Sequence, residues 1–250
     1  MDSNWQEAIS RLLKSAKVLN LRATFTKSAT AIVLIGSVGL TSLTLASPSS
    51  KYQLELLELA SANAADFDPI KAIETLAVKG RAPKTGYSRS AFGPAWSDVD
   101  RNGCDTRNDI LKRDLTQITF RAKTKDCVVE SGLLLDPFSG ENINFQRGEK
   151  TSALVQIDHV VALSNAWQTG AFKLNLAQRT AFANDPSNLL AVKGKLNSQK
   201  GDGDAATWLP PRKSYRCEYV TKQVMVKAKY GLWLTAPEKA AILKILKSCP

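Results

Sequence analysis

The sequence predicts an α+β domain, and three observations carry that prediction. Short apolar runs near 116–120, 127–135, 153–161 and 188–192 have the length and turn-residue boundaries of strands. Stretches with helical spacing flank and separate them, at 68–78, 106–115, 165–182 and 214–230. No internal repeat recurs, which excludes a solenoid or propeller. Hydrophobic residues at 44% and charged residues at 23% are ordinary for a globular protein, and 250 residues can bury a core unaided.

The N-terminus reads as a targeting segment. Arg11, Lys14, Lys17, Arg22 and Lys27 precede an uncharged run from about Ala29 to Ala46. The order basic, apolar, small is that of a secretory signal, with Ala46 and Thr44 placed to suit cleavage. The same run is also long enough to serve as an uncleaved anchor. Either way the remainder is expected outside the cytoplasm, secreted or membrane-anchored facing outside. No cysteine follows the run, which argues against a lipid anchor there. Residues 1–47 are thus signal or anchor, 48–66 a connector with a helical LELLELA stretch, and 67–250 one globular domain.

Within that domain Asp68-Pro69 opens a helix with Ile70, Ile73, Leu76 and Val78 on one face, ended by Gly80. A second helix over 106–115 points Ile110, Leu111 and Leu115 inward. Thr116–Phe120 alternates as a strand. The segments 127–135 and 143–145 flank Asp136-Pro-Phe-Ser-Gly140 and read as a β-hairpin. Strands follow at 153–161 and 188–192, with a helix over 165–182 between them. A short helix over 195–200 stops at Gly201, and a longer one over 214–230 stops at Gly231. Thr235-Ala-Pro-Glu238 has capping-box spacing before the last helix.

The four cysteines, Cys104, Cys127, Cys217 and Cys249, all lie beyond the apolar run. An even number fits disulfides in an exported chain, and the lack of any C-x-x-C pair argues against a zinc knuckle. Three pairings are open, besides four free thiols. Cys104–Cys127 and Cys217–Cys249 are favoured because each pair brackets one local unit.

Thirty-four Lys/Arg against 23 Asp/Glu give a formal charge of +11. Six of the basic and four of the acidic residues precede Asp66, so the excess belongs to the globular part. Such a field favours polyanions: nucleic acid, anionic lipid or acidic wall polymers.

The chain's one histidine stands in Gln156-Ile-Asp-His-Val-Val-Ala-Leu163, at the end of an apolar strand. Asp158-His159 ends one strand, Asn188 opens the next, and Asn197 sits on the helix after it. Phosphodiester hydrolysis needs activated water and a cation facing the developing charge. A neutral imidazole suits the base, and a carboxylate with an amide oxygen suits Mg²⁺ or Mn²⁺. Adjacent strand residues point to opposite faces, so Asp158 and His159 share a site only if the strand ends or bulges there.

These residues resemble the HNH endonucleases of the ββα-metal fold. More closely they resemble the C-terminal nuclease domain of GmrSD-type restriction enzymes, found also in exported bacterial proteins. The matching text is IDHVVALSNAWQTGA (157–171) and NDPSNLLAVKGKLNSQKGDGDAATWLPP (184–211), with looser similarity from Gly80 to Cys249 that includes GRAPKTGYSRSAFG (80–93). The resemblance implies a ββα-metal core with added helices and a hairpin. It implies His159 as general base and Asp158 with Asn197 as metal ligands. Asn188 would fix the loop that orients the histidine, and Lys200 would touch phosphate. Asparagine at the last position, where many members carry histidine, favours Mg²⁺ or Mn²⁺ over Zn²⁺.

Other features are weaker. Asp98, Asp100 and Asn102, with Asp109, have calcium-loop spacing, but Phe92-Gly93-Pro94 denies the flanking helix, so a turn tied by a disulfide is the better reading. Arg107 is expected near the active cleft. Lys193, Lys195, Lys200, Arg212, Lys213 and Arg216 form either a phosphate track or a solvated surface. Trp167, Trp208 and Trp233 could stack bases but suit a core. The sequence therefore points to an exported, metal-dependent endonuclease acting on DNA or RNA with low sequence specificity and needing no obligate protein partner. The alternative is a non-catalytic basic exported module that binds nucleic acid or cell-wall polyanions.

Overall fold

Residues 67–249 are described by the computed structural model; the basic N-terminal segment, its apolar run, the connector and Pro250 lie outside the described residues. Asp68 caps α1 (Pro69–Thr75), its carboxylate accepting the N–H groups of Ile70 and Lys71. The helix stops short of the expected apolar face. Ile73 and Leu76 are buried, whereas Ile70 and Val78 stay exposed, and Val78 bridges to Leu234 instead. Asp105 caps α2 (Thr106–Asp114), which buries Ile110 and Leu111.

β1 (Leu115–Phe120), β2 (Val129–Leu135) and β3 (Asn142–Gln146) form an antiparallel sheet in that order. β4 (Val155–His159) pairs antiparallel with β5 (Leu189–Lys193), setting His159 opposite Leu189 and Asp158 opposite Leu190. The spacing between them predicts one helix, but two form: α3 (Leu163–Gln168) and α4 (Leu176–Ala183). The break falls at Gly170, whose φ of 130° is open to glycine and whose backbone lies against the Trp233 ring. Asn175 then restarts the chain with a capping box.

β5 runs directly into α5 (Gly194–Lys200), so two antiparallel strands are followed by a helix, a ββα order. Gly194 is required at that junction because a Cβ would run into the Ala153 carbonyl. α6 (Arg216–Lys229) and α7 (Ala236–Leu246) complete the domain, α7 opening on the expected Thr235/Glu238 capping box. Both favoured disulfides, Cys104–Cys127 and Cys217–Cys249, are formed. The α+β class is the one expected.

The β4–β5 ribbon positions everything that follows, because each face carries a different core. Val155, Ile157, Leu189 and Ala191 face α2 and the three-stranded sheet. Leu190 and Val192 face the other way, toward α5, α6 and α7, with Val160 just past β4 on the same side. That alternation is the two-residue period of a strand buried on both faces. A third cluster joins the Arg89–Phe92 turn to α3, α4 and the end of α6. No helix among the described residues is long and apolar enough to cross a membrane.

Candidate active site

The strand period decides where the Asp-His pair goes. Asp158 shares its face of β4 with Gln156, beneath α5. There the Asn197 Nδ2 donates to Gln156 Oε1 at 2.9 Å, and Lys200 Nζ donates to Asp158 Oδ1 at 2.7 Å. Asn197 and Lys200 stand three apart on α5 and so meet alternate residues of the strand. Lys200 is 3% exposed and also donates to the His159 carbonyl at 2.6 Å. Both charges are out of water and compensate one another. Burial pushes the Asp158 carboxyl up, against the pull of the Lys200 ammonium.

His159 turns to the opposite face. Its ring stacks on Trp96, with centroids 6.0 Å apart and planes 19° apart. Its Nε2 bonds the Ala183 carbonyl at 2.8 Å. A carbonyl only accepts, so Nε2 carries the hydrogen and Nδ1 keeps its lone pair. Burial is the main cause that lowers the imidazole pKa to about 4, aided by the positive charges of Arg89 and Lys200, so the ring is neutral at pH 7. His159 lines a cavity of about 380 Å³ with Arg89, Phe92, Trp96, Leu163 and Asn184 among its walls.

Asn188 is fully buried and ties down the chain just beyond the histidine. Its Oδ1 accepts the Val161 N–H at 2.8 Å and its Nδ2 donates to the Val161 carbonyl at 3.4 Å. Val160 N also donates to the Asn188 carbonyl, at 2.8 Å. The end of β4 is thereby fixed, and with it the direction of the His159 side chain.

The sequence-selected residues therefore separate into two groups. Asp158, Asn197 and Lys200 meet under α5; His159 stands across the strand with Asn188 securing the turn. Lys200 differs from its expected role: its ammonium is sealed in the interior, bonded to Asp158 and to the His159 carbonyl, and burial keeps its third N–H from a phosphate at the surface. Arg107 packs its guanidinium over Phe145, 5.9 Å from the ring centroid, and does not line the His159 cavity. Lys195 is exposed on α5. Trp167 and Trp233 are buried, and Trp208 packs edge-on against Phe138. Of the other basic residues, Lys193 pairs with Glu141 and Arg216 donates to the Pro210 carbonyl.

Whether the residues suit a hard divalent ion is answered by their unsatisfied oxygens. Asp158 Oδ2 is buried without a hydrogen-bond partner. Asn197 spends its Nδ2 on Gln156, which leaves the amide oxygen to accept. A carboxylate oxygen and an amide oxygen on facing elements are the donor types that magnesium takes, with waters completing its shell. Among the described residues no three His, Cys, Asp or Glu side chains converge as metal ligands. The Asp98–Gly103 loop satisfies itself: Asp98 accepts from the Asn102 and Gly103 N–H groups, and the Asn102 amide donates to Asp100 and Asp109.

Two residues of this site escape a reading of the sequence, Arg89 and Trp96. Arg89 falls within the GYSRSAFG text that carries the family likeness, but no spacing marks it out. Trp96 is joined to His159 only by tertiary packing.

Comparison with known proteins bears on what the site is for. A protein of the fungus Arthroderma benhamiae, described as an uncharacterized secreted protein, is 38% identical over 176 residues, covering 70% of this chain and 81% of the relative. That relative is fungal, so the comparison lends no support to the bacterial setting expected from the resemblance. No solved structure matches. The family model for the C-terminal domain of GmrSD restriction endonucleases matches residues 105–245, from the α2 cap to within α7 and across the whole β4–β5–α5 unit. The chain belongs to the family of GmrSD restriction endonuclease C-terminal domains.

Proposed function

We propose that the chain is an exported, metal-dependent HNH-type endonuclease that hydrolyses phosphodiester bonds of DNA with low sequence specificity, RNA being a further substrate. The observation that carries this reading is His159 itself. It is neutral, clamped between Trp96 and the Ala183 carbonyl, keeps a lone pair on Nδ1, and lines the same cavity as Arg89. Nδ1 takes a proton from the attacking water. A phosphodiester seated between Arg89 and His159 offsets the charge of Arg89 and stabilises the imidazolium that forms, raising the basicity that burial suppresses. Asp158 and Asn197 are the residues that would hold Mg²⁺ or Mn²⁺, which supplies positive charge at the phosphate and the leaving oxygen. The faces of β4 diverge, so Asp158 and His159 can reach one phosphodiester only past the strand's end. Two disulfides and a secreted relative support an extracellular site of action.

The test is supercoiled plasmid incubated with the oxidised protein in Mg²⁺, Mn²⁺, Ca²⁺ or EDTA, with His159→Ala beside the parent. The expected result is nicking that needs the metal and disappears in the variant. The sealed Asp158–Lys200 pair favours a second reading, a basic domain that binds nucleic acid or wall polyanions without cutting them. Binding that weakens with salt, without cleavage by the folded parent, would establish that one.

A further inference from the structure

The cavity beside His159 has the form of a nucleotide subsite. We propose that it takes one nucleobase turned out of a single strand, with the adjoining phosphate on Arg89, so that unpaired nucleic acid is the preferred substrate. This inference rests on the nuclease reading for its link to cleavage, but not for its link to binding.

Four observations converge on it. First, at about 380 Å³ the cavity falls in the range, about 300–1,000 Å³, of pockets that enclose small molecules. Its walls, Phe92, Pro94, Trp96 and Leu163, are apolar or aromatic, which suits a flat heteroaromatic ring. Second, Arg89 is exposed at this cavity and, among the described residues, has no carboxylate partner. A guanidinium without an anion, next to an apolar slot, matches a ligand with a flat ring at one end and a phosphate at the other. Third, Trp96 holds a φ of 56°, the left-handed region that a bulky side chain rarely enters. Strain of this kind persists where surrounding contacts impose it and clusters at binding sites. Here Thr106 N holds the Trp96 carbonyl at 3.3 Å, and the ring is kept parallel to His159. Fourth, the wall is set before any ligand arrives. Gly93 has a φ of 84° and lies too close to Thr180 for a Cβ, while Arg179 Nε donates to the Ala91 carbonyl at 2.6 Å. Asn184 adds an acceptor: its amide oxygen has no partner, and once turned toward the cavity it would meet a ring amino group.

A base stacked within a duplex reaches a cavity walled by Trp96, Phe92 and Leu163 only after leaving the stack.

The experiment is calorimetric titration of the full oxidised chain in EDTA, where no cleavage occurs, with a nucleoside 5′-monophosphate, the matching nucleoside and inorganic phosphate. The parent, Arg89→Gln and Trp96→Leu are compared, each first checked for folding by its melt. The monophosphate should bind more tightly than nucleoside or phosphate alone. Arg89→Gln, an exposed change, should remove the advantage of the monophosphate over the nucleoside. Trp96→Leu should weaken ring binding about tenfold. A separate measurement compares cleavage of a single-stranded and a duplex oligonucleotide in Mg²⁺, with faster loss of the single strand expected. Equal binding of monophosphate and inorganic phosphate, or an unaltered Arg89→Gln titration, overturns the subsite. Cleavage that needs His159 while nucleotides fail to bind overturns the subsite and leaves the nuclease reading standing. Nucleotide binding without any cleavage does the reverse.

Discussion

Replacing Lys200 by methionine should cost the domain about 3–5 kcal/mol at neutral pH, the range for removing one partner of a buried ion pair. The structure explains why the cost is not smaller. The Lys200 ammonium makes two bonds in the interior, to Asp158 Oδ1 at 2.7 Å and to the His159 carbonyl at 2.6 Å. Asp158 Oδ2 has no partner even in the parent. The variant would therefore leave a carboxylate 3% exposed with neither oxygen satisfied. For a domain of this size the loss corresponds to a fall in melting temperature of about 10 °C. Asp158 would hold its proton more tightly in the folded than in the unfolded state, since burial already raises its pKa. A carboxyl with a raised folded pKa gives stability that is lost as pH rises from the ordinary carboxylate range through the folded value. The melting deficit should therefore shrink toward pH 4 and widen toward pH 7. Asp158→Asn combined with Lys200→Met removes both charges and should recover most of the loss. Thermal melts of the three proteins, parent, single and double variant, across that pH range are the assay. A single variant melting within about 2 °C of the parent at pH 7, or one that grows more stable with rising pH, would refute the account of a sealed, mutually dependent pair.

Two further predictions concern the other face of β4. The chain's one histidine gives one set of imidazole ring-proton signals in NMR, and their titration midpoint should lie near pH 4, with little movement between pH 5 and 8; a midpoint near 6.5 would mean that the ring is not buried against Trp96. Because the folded pKa is depressed, this group contributes stability that is present above pH 6.5 and lost as pH falls toward 4. Asn188→Ala leaves the Val161 N–H without its acceptor in the interior and should cost about 1–3 kcal/mol, with nicking reduced further than the melt alone explains because the end of β4 is released. Unchanged nicking by a folded Asn188→Ala protein would show that the turn does not orient His159.

Much of this protein was legible in its residues because it rests on local rules. Asp68, Asp105 and Thr235 open helices where their side chains can cap free N–H groups. The Asp136–Gly140 turn sets the β2–β3 hairpin, and both cysteine pairs close the units they bracket. The Asp-His, Asn-Leu-Leu and Asn-x-x-Lys text marks the β4–β5–α5 unit for the same reason: its members lie close together in the chain. Failures came where packing overrides local preference. The expected long helix breaks at Gly170 because the backbone there passes the Trp233 ring, 63 residues away in sequence. Val78 fits a helical face by spacing but meets solvent because the helix ends at Thr75, while Ile70, within the helix, is turned outward.

The sequence alone determined the residue types present: one imidazole, a neighbouring carboxylate, two amides and a basic balance. Only tertiary structure decided which of them meet. A strand buried on both faces sends successive side chains into different cores, so Asp158 goes to Lys200 and His159 to Trp96. A one-dimensional pattern can place two residues side by side, but it takes the packing around β4 to settle what each one faces.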